Sequence, residues 1–252
     1  MRTFEDLVAE AEAADMTGWD FGWLDGRATE ERPPWGYARL LAERLGRVGS
    51  ALDLDTGGGE VVASAPALPR RMAVTEGWPP NAERAEALLG PRGVEVHHAA
   101  PGEPLPFPEA SFELVTSRHP VRPDWREIAR VLEPGGTYFA QHVGPASGFE
   151  LIEFFLGPLP EQRLGRDPHR EVAEAAGAGL TLVDLRTARL RMTFLDIGAV
   201  VWILRKCVWW VPGFTVERYR DRLRELDALL RRDGPFVAHS SRHLVELQRR
   251  SS

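Results

Sequence analysis

The chain has 252 residues, a formal charge of −6, one lysine (Lys206) among 31 basic residues, and one cysteine, Cys207. The length suits a single α/β domain with an added cap. The charge is wrong for a surface that neutralises many phosphates, and a lone cysteine excludes an intramolecular disulfide.

Two helices are predicted ahead of the core. Phe4, Leu7, Val8 and Ala11 recur at helical spacing, as do Tyr37, Leu40, Leu41 and Leu45. Between them, Trp19 to Arg27 is an aromatic loop rich in turn residues, read as a lid. Short apolar runs then alternate with helical patterns. Strands are predicted at Ala51–Leu54, Arg71–Thr75, Val94–His97, Phe112–Thr116 and Thr137–Gln141, with helices at Asn81–Leu89 and Trp125–Leu132. Such alternation belongs to right-handed βαβ units and a parallel sheet. Further along come a helix over Pro168–Ala176, a strand over Leu180–Phe194, a helix from an Asp196 cap to Lys206, a helix from Thr215, and a last strand over Pro235–Leu247.

The acidic, amphipathic start Met1-Arg2-Thr3-Phe4-Glu5-Asp6 does not read as an export signal. The longest apolar run, Ile197 to Ile203, falls far short of the roughly 20 residues of a membrane span. The expectation is a cytoplasmic protein, monomer or homodimer, with a small-molecule substrate and neither nucleic acid nor membrane as partner.

Leu52-Asp53-Leu54-Asp55-Thr56-Gly57-Gly58-Gly59-Glu60 carries the most chemistry. A strand running into glycines lets backbone N–H groups approach a ligand at the carboxyl edge of a parallel sheet. Val62 stands where a dinucleotide fingerprint needs its third glycine, which argues against nicotinamide chemistry. Glu76, about 20 residues beyond the first strand, is suited to a ribose, because a carboxylate accepts from two vicinal hydroxyls at once. His119 and His142 end two strands at the same edge. A neutral imidazole there is a candidate proton acceptor, His119 being the stronger candidate and His142 the better fit to local hydrogen bonding. His97-His98 and His239-x-x-x-His243 lack a third ligand nearby, and no metal is expected.

Four stretches in order, between about Leu45 and Gly144, resemble the class I S-adenosylmethionine-dependent methyltransferases, in particular the type 11 methyltransferase domain. They are Leu52 to Glu60, Val74-Thr75-Glu76-Gly77-Trp78, Leu105-Pro106-Phe107-Pro108-Glu109-Ala110-Ser111-Phe112-Glu113-Leu114-Val115, and Glu127 to Gly136. The resemblance implies a doubly wound, mostly parallel, seven-stranded sheet. It divides the chain into an N-terminal helical cap (1–46), a Rossmann-like core (47–194), a helical insertion (195–234) and a final strand (235–252). It also implies S-adenosylmethionine as cofactor, held by Asp53, Asp55, Gly57, Gly59, Glu76, Gly77, Trp78, Gly102, Glu103, Ser117 and Arg118, with His119 as the catalytic candidate. The chain departs from the family at two places. Asp55 replaces a usual glycine, and Pro101 replaces a usual acid, leaving Gly102 and Glu103 as substitutes.

Methyl transfer to a small molecule is therefore the expected function, with the segments Trp19 to Arg32 and Asp196 to Phe214 closing over the substrate. The competing readings are a relative that has turned to cyclisation or rearrangement, and a non-catalytic binding subunit.

Overall fold

Helix α1 (Phe4–Ala13) starts in a reciprocal cap: Thr3 Oγ1 accepts from the Asp6 N–H, and Asp6 accepts from the Thr3 N–H. Such a cap satisfies two otherwise orphaned donors and stabilises a helix start by about 1 kcal/mol. The computed structural model to which it belongs describes residues 2–16, 21–100 and 102–251, so Trp19 and Pro101 lie outside the described residues.

In chain order follow β1 (Ala28–Glu30), α2 (Tyr37–Leu45), β2 (Ser50–Leu54), α3 (Glu60–Ala63), β3 (Arg71–Glu76), α4 (Pro79–Leu89), β4 (Glu95–His98), β5 (Phe112–Arg118), α5 (Trp125–Val131) and β6 (Leu132–Val143). They are succeeded by α6 (Phe149–Leu156), α7 (Pro168–Gly177), β7 (Leu180–Phe194), α8 (Ile197–Lys206), α9 (Arg220–Asp233) and β8 (Phe236–Arg249). The strands make one sheet in the order β1-β7-β8-β6-β5-β2-β3-β4. Neighbours from β4 to β6 pair in parallel, while β8 runs antiparallel to β6 and β1 antiparallel to β7.

The sheet has eight strands, one more than expected. The extra one is β1, inside the segment Trp19 to Arg32 expected to close over the substrate, where Ala28, Thr29 and Glu30 pair with Phe194, Thr193 and Met192. Three residues are too few to show an alternating pattern, so sequence could not flag it. A second difference lies at α9. Thr215 Oγ1 accepts from the Arg218 N–H and closes a turn, and the helix begins only at Arg220. Helix α6 went unread, its FELIEFFL sequence being too apolar to show a polar face.

Contacts group the chain into two compact units. One comprises residues 33–144, 166–188 and 242–252. Its sheet is packed on both faces: Leu52, Val115, Tyr138, Ala140 and Val245 fall in one cluster with Trp125 and Ile128 of α5 and Ala175 of α7. Ala51, Val74, Leu114, Phe139 and Leu244 fall in another with Leu41 and Leu45 of α2 and Leu89 of α4. Strands covered on both sides read as continuous apolar runs, as Ala51 to Leu54 and Met72 to Val74 do.

The other unit comprises residues 1–32, 145–165 and 189–241. At its centre is α8, capped by Asp196, which accepts from the Ala199 N–H, and buried at nine of its ten positions. A helix apolar all round is a core helix. Trp202 of α8 and Phe194 are each 1% exposed, and Trp23 stacks on Trp202 at 5.8 Å. These rings, read as part of a substrate cover, fasten the core of their own unit. Among the described residues no helix is long and apolar enough to cross a membrane.

Candidate active site

Strand order locates a crevice. The chain steps outward from β2 through β3 to β4, then returns to place β5 on the other side of β2. Ligands of open α/β sheets bind at the carboxyl ends of strands flanking such a reversal. Register pairs Leu54 of β2 with Ser117 of β5, so Asp55 and His119 stand just beyond the paired edge. Both adopt positive φ, 54° and 61°. For non-glycine residues this is uncommon and gathers at functional sites. It also explains Asp55: the position needs a left-handed residue, which glycine normally supplies and which aspartate tolerates better than most.

Beyond Asp55 the loop is stitched to β3. The Thr56 N–H donates to the Thr75 carbonyl at 3.0 Å, and the Gly57 N–H donates to Glu76 Oε2 at 2.8 Å. The other carboxylate oxygen of Glu76 accepts from the Trp78 N–H at 2.8 Å. Glu76 thus clamps the glycine loop to the turn after β3, with Gly77 inside that turn. Each oxygen retains acceptor capacity.

Two glycines have distinct roles. A side chain on Gly59 would sit 2.7 Å from Leu89 of α4, so its absence lets the loop close onto that helix. Gly57, at φ +64°, faces open space. Trp78 is half exposed beside the Glu76 clamp. Gly102 is exposed at φ +84°, and Glu103 folds over its own turn, accepting from the Ala100 N–H at 3.2 Å.

Asp53 is buried behind the loop and accepts from Thr116 Oγ1 at 2.5 Å. Burial pushes its pKa up to about 6, against the hydrogen bond from Thr116 and aided by the nearby Asp55 charge. Asp55 opens to solvent at the loop mouth, yet the protein packed around its carboxyl, and then the Glu76 charge, raise its pKa too. Ser117 is 1% exposed, and its hydroxyl has no hydrogen-bond partner among the described residues. Arg118, at the end of β5, is exposed.

The state of His119 follows from a relay. The indole N–H of Trp35 donates to Gln141 Oε1 at 2.8 Å, which turns the amide NH₂ toward His119 Nε2 at 2.9 Å. An indole nitrogen can only donate, so Gln141 must donate onward and Nε2 must accept, leaving the ring proton on Nδ1. Burial, followed by the charges of Arg242 and Arg118, lowers the His119 pKa to about 2. The ring is neutral with its lone pair engaged, which equips it to donate from Nδ1 and opposes the proton-acceptor role read from sequence.

Trp35, Gln141, Thr116 and Tyr37, whose hydroxyl donates to the Ser117 carbonyl at 3.0 Å, were missed as supports of this edge. Only helical spacing marked Tyr37, and that signals packing. On the opposite side of β6, His142 meets Glu171 of α7 and His243 of β8. His239 stands apart, bonded to Glu150 at 2.9 Å.

Residues 52–140 match the family described as Methyltransferase domain. Among solved structures, the YcgJ protein of Bacillus subtilis aligns with TM-score 0.62 and 18% identity over 86% of this chain and 99% of its own. A putative methyltransferase of Bacillus halodurans, BH2331, aligns with TM-score 0.61 and 16% identity over 84% and 98%. A geranyl diphosphate methyltransferase in complex with GPP and sinefungin aligns with TM-score 0.51 and 17% identity over 84% and 77%. No curated protein matches in sequence. The resemblance read from the four motifs is therefore borne out: the chain has the class I methyltransferase fold, and its segment 52–140 matches the methyltransferase domain family.

Proposed function

We propose that this chain is an S-adenosylmethionine-dependent methyltransferase acting on a small-molecule acceptor. The observation that carries the reading is the Glu76 carboxylate, fixed by backbone N–H groups at the carboxyl end of β3, directly beside the glycine loop. The residues present fit the cofactor. Gly57 leaves space where a side chain would intrude, and the Ser117 hydroxyl, at the switch point, has no hydrogen-bond partner among the described residues.

In this reading Glu76 accepts from the ribose hydroxyls, Trp78 covers the adenine face, and Gly77, Gly102 and Glu103 border that end. Asp53, Gly57 and Gly59 shape the loop under the methionine moiety, and Asp55 offers its carboxylate to the ammonium. The bound cofactor supplies an electrophilic methyl group on a sulfonium. Positioning of the acceptor then provides much of the rate, and no dedicated base is required. His119 is a positioning donor through Nδ1, with Arg118 exposed beside it at the end of β5. The methyltransferase crystallised with GPP and sinefungin favours a small acceptor on this fold.

Calorimetric titration with S-adenosylmethionine and S-adenosylhomocysteine tests the assignment. Saturable binding of both is expected, together with formation of S-adenosylhomocysteine when an acceptor is turned over. Failure of either ligand to bind a folded chain at millimolar concentration would overturn it and favour a non-catalytic relative.

A further inference from the structure

His142, Glu171 and His243 come from three elements, β6, α7 and β8, and all lie in the sheet-bearing unit. His142 Nδ1 is 2.8 Å from Glu171 Oε2, and His243 Nε2 is 2.9 Å from the same oxygen. The two imidazoles are 2% and 1% exposed, and the three facing atoms lie within 4.8 Å of one another.

Two features separate this cluster from an ordinary hydrogen-bonded carboxylate. Both nitrogens face one oxygen instead of spreading over the two that a carboxylate offers, so three potential ligand atoms converge at one place. And His243 Nδ1 is buried without a hydrogen-bond partner among the described residues. The orientation of that ring is thus set by its Nε2, the atom that points into the cluster.

We propose that His142, Glu171 and His243 form a binding site for a divalent transition-metal ion of the zinc or iron(II) kind. Two imidazole nitrogens and one carboxylate oxygen are the donor set that such borderline cations take, and a three-ligand protein site leaves a position for water or another ligand. The outer contact is also in place. His142 Nε2 lies 2.9 Å from Tyr138 Oη, and once metal occupies Nδ1 that nitrogen donates to the hydroxyl, fixing ring and tautomer. A bound ion would tie α7 to β6 one residue beyond Gln141, the residue that orients His119. The site is independent of the methyl-transfer reading.

The test is a titration of chelator-treated full chain with Co²⁺, read by visible absorption, and with Zn²⁺, read by calorimetry, metal content after dialysis and thermal melting. Wild type should take up one equivalent, develop ligand-field bands with Co²⁺, and melt higher with Zn²⁺. Affinity should fall roughly a hundredfold in His243→Ala, and strongly in Glu171→Gln, which keeps the shape of the side chain. If His243→Ala fails to fold, Glu171→Gln and the wild-type cobalt spectrum still decide. No stoichiometric uptake by folded wild type, or uptake unchanged in the variants, would overturn the proposal and leave a hydrogen-bonded triad.

Discussion

Asp53 and Glu171 are two carboxylates of the same unit, both largely withdrawn from water, and they are displaced in opposite directions. Asp53 accepts from the Thr116 hydroxyl, the Thr56 hydroxyl acts in the same lowering sense, and Asp55 is a neighbour; burial prevails and its pKa rises to about 6. Glu171 receives two imidazole contacts on one oxygen, which hold it to about 2 although burial acts on it as well. Burial alone therefore does not set the ionisation of a buried acid. What decides is the kind of donor that faces it and whether another acid stands nearby.

The largest expected effect sharpens this contrast at Asp53. Its pKa in the folded chain, about 6, exceeds the ordinary 3.8, so folding retains a proton that the unfolded chain has released. The associated stability is complete below about pH 4 and is lost as the pH rises through about 6, amounting to roughly 3 kcal/mol. Denaturant melts of wild type and Asp53→Asn from pH 4 to 8 should diverge by that amount, wild type losing ground as pH rises. Parallel curves would remove the buried-acid account.

Glu171 should behave in the reverse sense. Its depressed pKa contributes stability that is full above about pH 4.5 and is lost as the pH falls toward 2. Without added metal, Glu171→Gln should cost about 2 kcal/mol at pH 7, the scale of hydrogen bonds to a charged group, with the deficit shrinking on acidification. A deficit independent of pH would mean that packing, not charge, is what the substitution removes.

The smallest effect concerns Asp55, at φ +54° beside the Glu76 charge. Asp55→Gly relieves the left-handed strain and the like-charge repulsion, and should raise stability by about 1 kcal/mol while weakening cofactor binding. A melting temperature below that of wild type would show that the Asp55 side chain holds the loop instead of straining it.

The two acids also differ in how far sequence announced them. Asp53, Asp55, the glycines and Glu76 occur in two short runs whose strand-turn pattern shows at once where they sit, and the hydrogen bond from Gly57 to Glu76 joins neighbouring strands. Glu171 looked like any polar position of an amphipathic helix, His142 like a strand-end residue and His243 like a residue within the last strand, because their meeting depends on β8 pairing with β6 at His142 opposite His243. The Trp35–Gln141–His119 relay escaped for the same reason: its partners are 106 and 22 residues apart. Periodicity likewise located the five parallel strands while missing β1, which has only three residues and exists through its pairing with β7. Local pattern thus revealed what local backbone positions, and long-range pairing hid what it alone assembles.

The most direct measurement is calorimetric titration of wild type, Glu76→Ala and Glu171→Gln with S-adenosylmethionine, each shown to be folded by its melt. The expected result is loss of about 1.5–3 kcal/mol of binding in Glu76→Ala alone, roughly ten- to hundredfold in affinity, because in the proposed reading only that acid meets the ribose. Wild-type affinity in folded Glu76→Ala would contradict the account.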